Sequence, residues 1–261
     1  MNSFEHIIAE RERDVILWIT INRPAALNSL NPSAHRELSS ALDGFASDPA
    51  LRVAVITGIG ERAFCVGSDL KARSIGNADD HPPTGFGGIS HRFDLAKPVI
   101  AAVNGLALGG GLEIVAACDL AVAADHAEFA LPEPRVGLAA LGGGGLQRLA
   151  RNLPLKHAME LVLTGRRFGP EEAKRIGLIN DVVPRADLKV RVRQMAEQII
   201  EGAPLAVEAS KQVMLQSLAM PDLATALRAR YPAAERMLAS DDAIEGQRAF
   251  VEKRKPRWQG R

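Results

Sequence analysis

The stretch Lys97-Pro98-Val99-Ile100-Ala101-Ala102-Val103-Asn104-Gly105-Leu106-Ala107-Leu108-Gly109-Gly110-Gly111-Leu112-Glu113 carries the first reading of this chain. Its front half is a short, continuous apolar run, the pattern of a strand covered on both faces. Three glycines follow, then an apolar segment that opens a helix with Glu113 in its first turn, where an acid complements the helix dipole. Glycine at such a turn also lets another molecule approach the backbone closely. Taken alone, the turn reads equally well as tight helix packing with no ligand.

Two further segments flank it. Upstream lies Ala63-Phe64-Cys65-Val66-Gly67-Ser68-Asp69-Leu70-Lys71, a second Gly-centred turn, and downstream lies Ala130-Leu131-Pro132-Glu133-Pro134. Pro134 biases Glu133 towards extended backbone and neither proline can donate an N–H, so this carboxylate sits on a stiff, non-helical segment. On its own, Glu133 reads as an exposed loop acid.

Working outward, Val15 to Ile21 is rich in β-branched and aromatic residues and ends at Arg23-Pro24, which predicts a strand. Asn31-Pro32 supplies an N-cap and a proline at the first helical position, with Leu38, Leu42 and Phe45 spaced for one buried face. Leu51 to Thr57, Leu120 to Ala124 and Ile179 to Val183 read as further strands. Pro170 starts a helix that Gly177 stops, and Pro204 and Pro221 start two more. Strands with intervening helices indicate an α/β class, with an all-helical end. The segment 73–92, with six Gly or Pro and the polar Asn77, Asp79 and Asp80, reads as a long functional loop. His81 and His91 are expected there as ordinary loop polar residues.

The chain has 261 residues, with 32 Lys+Arg against 31 Asp+Glu. A net charge of +1 creates no field suited to nucleic acid as the main partner. The N-terminus lacks a basic region followed by an apolar one, and no apolar run reaches the roughly 18 residues of a membrane span, so a cytoplasmic protein without a membrane partner is expected. Cys65 and Cys118 form no Cys-x-x-Cys pair and read as buried small hydrophobes in a reducing compartment. The six histidines show no metal-ligand spacing. Gly142-Gly143-Gly144-Gly145 lacks the Lys-Ser/Thr of a phosphate-binding P-loop.

With the Gly67-Ser68-Asp69 turn, the Gly109-Gly110-Gly111 turn with Glu113, Leu131-Pro132-Glu133 and the C-terminal Ala249-Phe250-Val251-Glu252-Lys253-Arg254-Lys255 all in that order, the chain resembles the crotonase family, the enoyl-CoA hydratases and isomerases, from Ile21 to the C-terminus. Phe93-Asp94-Leu95, Thr164-Gly165-Arg166-Arg167 and the ending Pro256-Arg257-Trp258-Gln259-Gly260-Arg261 are most similar to the branch acting on crotonobetainyl and carnitinyl thioesters. The resemblance implies a spiral of repeated β-β-α turns over residues 1–190. It also implies a helical C-terminal region over 191–261 that builds a homotrimer or a dimer of trimers.

The resemblance also implies a chemistry: reversible addition of water to a 2-enoyl-CoA, with coenzyme A as part of the substrate and no metal or other cofactor. The backbone N–H groups of Ser68 and Gly110 would form the oxyanion hole. Glu113 would activate water and Glu133 would protonate the α carbon, since water addition needs both a base and an acid. Ala26, Leu27 and Lys71 would line the coenzyme A site. Phe250 and Lys253, from the same or a neighbouring subunit, would reach its 3′-phosphate end. Ala25 stands where many relatives carry Lys, and Ala140-Leu141-Gly142-Gly143 departs from the Pro-Gly common at the acyl end of the pocket. Isomerase or aromatic hydratase-lyase chemistry, and a noncatalytic RNA-binding role, are the rival readings.

Overall fold

The computed structural model describes residues 4–69 and 81–261, so the expectations on Lys71, Asn77, Asp79 and Asp80 lie outside it. Among the described residues the strands are β1 Ile7–Glu12, β2 Ile16–Ile21, β3 Val53–Gly58, β4 Ala63–Cys65, β5 Val99–Val103, β6 Leu106–Leu108, β7 Leu120–Ala124, β8 Glu128–Ala130 and β9 Asp181–Val183. The helices are α1 Pro32–Ser47, α2 Gly110–Ala117, α3 Gly145–Asn152, α4 Leu155–Thr164, α5 Pro170–Arg175, α6 Leu188–Ile200, α7 Pro204–Ser217, α8 Leu223–Arg228, α9 Pro232–Leu238 and α10 Asp241–Val251.

The strands form a large sheet of order β1-β2-β3-β5-β7-β9 and a small one of order β4-β6-β8. The β1–β2 pair is antiparallel and every other pair is parallel. Each circuit of the chain lays one strand on each sheet: β3 then β4, β5 then β6, β7 then β8. With α2 following β6, this is the expected β-β-α winding. The register advances regularly, with Ala54 opposite Val99, Ile100 opposite Leu120, and Val122 opposite Asp181.

Because strand side chains alternate, β3 splits its residues between two cores. Ala54 and Ile56 join the interior that includes α1 and α2, while Val53 and Val55 face the other way with Ile100, Ala102 and Val122. That second face is covered by Leu188, Val192 and Ala196 of α6. The residue 190/191 junction expected from sequence therefore falls inside a helix whose apolar side is buried on the sheet.

Helix α1 begins as its sequence signals predict. The Asn31 side chain accepts the Ala34 N–H at 2.8 Å, and Leu38, Leu42 and Phe45 are fully buried. Lys97 closes its far end, donating to the carbonyls of Phe45 and Asp48 at 3.0 and 2.6 Å. Pro221 does not start a helix: α8 starts at Leu223 under an Asp222 cap that accepts the Thr225 N–H. In the latter part of the 73–92 segment, Phe86, Gly87, Gly88, Ile89 and Ser90 are buried.

Candidate active site

The small sheet delivers the two glycine turns to one place. After β4, Gly67 adopts φ +93°, and its carbonyl and the Asp69 N–H are both taken up by Leu30, at 2.8 and 2.9 Å. The Ser68 N–H between them has no acceptor among the described residues. After β6, Gly109 adopts φ +53° and α2 starts at Gly110, whose N–H is one of the unsatisfied donors of a helix start. The turns nearly touch: a Cβ added to Gly67 would lie 3.0 Å from the Gly110 nitrogen. Two free N–H groups thus sit side by side, the Gly110 one at the positive end of a helix.

Glu113, on the first turn of α2, is 3% exposed. Its Oε2 accepts the Gly143 N–H at 2.9 Å and its Oε1 the Gly145 N–H at 2.8 Å. Burial pushes this carboxyl above the usual carboxylate range, opposed by the Gly145 and Gly143 N–H groups and by the positive charge of Arg148. Arg148 lies one turn into α3 and is anchored to the Ser90 carbonyl at 2.6 Å.

Glu133 opens a short 3-10 turn directly after β8, and its carboxylate rests on the other glycine turn: a Cβ on Gly109 would meet Oε1 at 2.7 Å. Its Oε2 is buried with no hydrogen-bond partner among the described residues. Burial raises this carboxyl too, its own backbone N–H opposes, and the charge of Glu113 raises it further. Both acids therefore hold a proton more tightly than ordinary carboxylates, and Glu113, with two backbone N–H groups and the Arg148 charge, has more support for a negative charge than Glu133 has from its own N–H.

A cleft of about 860 Å³ joins these parts, within the range of pockets that bury a small-molecule ligand. Ser68, Gly110, Glu113 and Glu133 line it, as do Ala26 and Leu27. The family model described as Enoyl-CoA hydratase/isomerase matches residues 11–261. The chain belongs to the enoyl-CoA hydratase/isomerase family. Carnitinyl-CoA dehydratase of Escherichia coli K12 is 45% identical over 254 residues, covering 94% of this chain and 95% of that protein. The Salmonella typhi protein of the same description is 44% identical over the same coverage. Among solved structures, an enoyl-CoA hydratase from Mycobacterium tuberculosis H37Rv superposes with TM-score 0.92 at 40% identity, covering 98% of this chain and 99% of that one.

For this member of the family, some expected residues meet and others do not. Phe250 and Lys253 do not line the cleft: Phe250 is 85% exposed near the end of α10 and Lys253 follows it in a turn. Lys71 lies outside the described residues. His81, expected as a loop polar residue, lines the cleft instead, with its ring 4.5 Å from His35 and 5.5 Å from Phe86, centroid to centroid. His35 Nδ1 accepts the Gly87 N–H at 2.9 Å, and burial, with His81 and Arg36 nearby, lowers its pKa to about 3.

Sequence reasoning missed the four-glycine run as the cradle of Glu113. A Cβ on Gly143 would come within 2.5 Å of the Glu113 Cβ, so close approach demands glycine there. The signal was present, a glycine run leading into a helix, but its partner lies 30 residues upstream. Cys65 is buried as expected, and burial pushes its thiol up to about 12. No helix among the described residues is long and apolar enough to cross a membrane.

Proposed function

We propose that this chain adds water reversibly across the double bond of a 2-enoyl-CoA. The observation that carries the reading is the convergence of Glu113 and Glu133 on one cleft beside the N–H groups of Ser68 and Gly110. Ionised Glu113 takes a proton from water as the oxygen bonds to the β carbon. The π electrons move towards the thioester oxygen, where the two N–H groups meet the developing charge. Protonated Glu133 then delivers its proton to the α carbon and the carbonyl reforms. The products are a 3-hydroxyacyl-CoA and a pair of glutamates whose proton has changed places, so atoms and charge balance.

No metal or redox cofactor enters this reading, since hydration changes no net oxidation state and the acid, the base and the oxyanion donors come from the chain. Coenzyme A would lie along Ala26 and Leu27, with Phe250 and Lys253 contributed by a neighbouring subunit. A homotrimer or dimer of trimers is supported by the outward apolar residues of the C-terminal helices, among them Leu218 and Leu227 at 77% exposure. Unpaired Cys65 and Cys118 fit a cytoplasmic setting. Similarity to the carnitinyl-CoA dehydratases favours crotonobetainyl-CoA among enoyl thioesters. Loss of the conjugated thioester absorbance of crotonyl-CoA, with recovery of 3-hydroxybutyryl-CoA, tests hydration. Recovery of only a shifted double bond would assign an isomerase instead.

A further inference from the structure

The two oxyanion donors are held in place by unequal means. The Gly110 N–H belongs to the first turn of α2, and the helix fixes its direction. The Ser68 N–H belongs to an isolated parallel bridge, Leu30 beside Ser68, that lies outside the strands. Leu30 donates to the Gly67 carbonyl at 2.8 Å and accepts the Asp69 N–H at 2.9 Å. In such a bridge the middle residue's own N–H faces the opposite edge, which here is the side of the cleft that Ser68 lines. Two hydrogen bonds without a ladder are a weak brace for a donor whose direction must be set before charge develops.

Arg23 supplies the rest of the brace. One arm of its guanidinium donates to the Ser29 carbonyl, one residue before Leu30, and the other reaches Asp69 Oδ2 at 2.9 Å, one residue after Ser68. The fork therefore ties the two sides of the bridge together right beside the Ser68 donor. Both side chains of the ion pair are only 16% exposed, so these charge-assisted bonds are less screened than those of a surface pair. Arg23 is itself fixed: its carbonyl accepts the N–H groups of Ala26 and Asn28 at 3.0 and 2.9 Å, and its N–H donates to Asn28 Oδ1 at 3.1 Å. The buried Asn28 amide in turn donates to the Ala63 carbonyl at 2.7 Å, in the strand β4 that leads to Ser68. A lysine at 23 would offer a point charge and no planar fork to span a carbonyl and a carboxylate.

Resting on the hydratase reading, we infer that Arg23, through its ion pair with Asp69, is a positioning residue that aims the Ser68 N–H at the thioester oxygen. Arg23 does not itself line the cleft, so it acts through the backbone it holds. Breaking the fork leaves the 67–69 turn on its two bonds to Leu30. The donor then strays from the line along which charge develops, which is felt in the chemical step more than in acyl-CoA affinity.

The test uses the full chain with Arg23→Met, Arg23→Lys and Asp69→Asn, and two readouts. Butyryl-CoA has no double bond to hydrate, and the infrared band of its isotopically labelled thioester carbonyl falls in frequency when N–H donors polarise it. Saturating the native chain should lower that band, and Arg23→Met should lose part of the shift. With crotonyl-CoA, Arg23→Met should lower kcat roughly 10- to 100-fold, the scale of a reacting contact misplaced by about 1 Å, while KM changes much less. Arg23→Lys, which keeps the charge and loses the fork, should fall between the native chain and Arg23→Met in both readouts. Asp69→Asn, which keeps an acceptor oxygen and loses the charge, should move both in the same direction and serves if the methionine variant does not fold. A band shift retained in full in the folded variants overturns the assignment, as do losses confined to KM or to thermal stability. A native chain that binds butyryl-CoA without shifting the band, or that leaves crotonyl-CoA unhydrated, overturns the hydratase reading itself.

Discussion

Glu113 accepts the backbone N–H of Gly143 at 2.9 Å, a contact joining the start of α2 to the segment that leads into α3. Because Gly145 binds the other carboxylate oxygen, the side chain is held at both oxygens by backbone N–H groups. Such a carboxylate is oriented before substrate arrives, and it is the member of the pair better suited to bear charge.

Glu113→Gln and Glu133→Gln should each reduce kcat by on the order of 100- to 10,000-fold, the worth of a positioned acid or base. Acyl-CoA affinity should change little. The double variant should lose less than the product of the single losses, since the two acids act in one step. Steady-state kinetics together with product-binding titration separates the effects, and near-normal turnover in either single variant would remove that residue from the reaction.

The pH profile should carry an acid limb above the usual carboxylate range, because Glu113 must be ionised and its pKa is raised by burial. Arg148 opposes that rise. Arg148→Met therefore raises the Glu113 pKa further, and the acid limb of kcat/KM moves to higher pH, whereas Arg148→Lys should retain most of the native profile. A limb that stays put in the methionine variant would show that the Arg148 charge does not reach the reacting carboxylate.

Ser68 should act through its N–H. Ser68→Ala, which keeps that donor, should be mild, while Ser68→Pro, which deletes it, should cost roughly 100- to 1,000-fold or more in kcat. Circular dichroism on both variants reports whether the fold is retained. A severe defect in folded Ser68→Ala would assign the work to the hydroxyl instead.

The C-terminal tail should contribute to stability. Asp242 is 2% exposed and accepts the N–H groups of Gln259 and Gly260 at 2.7 and 2.8 Å, while Trp258 donates to the Glu201 carbonyl at 2.8 Å. Asp242→Ala leaves those N–H groups without their acceptor and should cost about 1–3 kcal/mol. Thermal denaturation reads this as a lowered Tm, and an unchanged Tm would mean that the tail is held by other contacts.

Much of this was legible in the sequence, for physical reasons that differ by element. Val99 to Val103 reads as a strand because both of its faces are buried, and Asn31-Pro32 reads as a helix start because a cap and a proline act locally. β1 was not read: as the antiparallel edge strand its burial is partial, and Glu10, Arg11 and Glu12 hide the alternation. Three-residue strands such as β4, β6 and β8 are too short to show any period. In the tail, a charged run that reads as solvated is folded back by Asp242 and by Glu245, which holds Arg254 at 2.6 Å. Contacts set by residues far apart in the chain, such as Gly143 to Glu113 or His35 to Gly87, leave no local trace.

The three-stranded sheet has one further consequence. Ser68, Gly110 and Glu133 follow the last residues of β4, β6 and β8 by two or three positions, so neighbouring parallel strands, about 4.8 Å apart, act as a ruler for the reacting groups. Distances set by backbone pairing survive wholesale exchange of side chains, yet a single inserted residue between Phe64 and Ser68 would displace one mark on the ruler. Phe86 and Leu141, which line the same cleft, lie off that sheet, so the lining can change while the catalytic frame keeps its gauge.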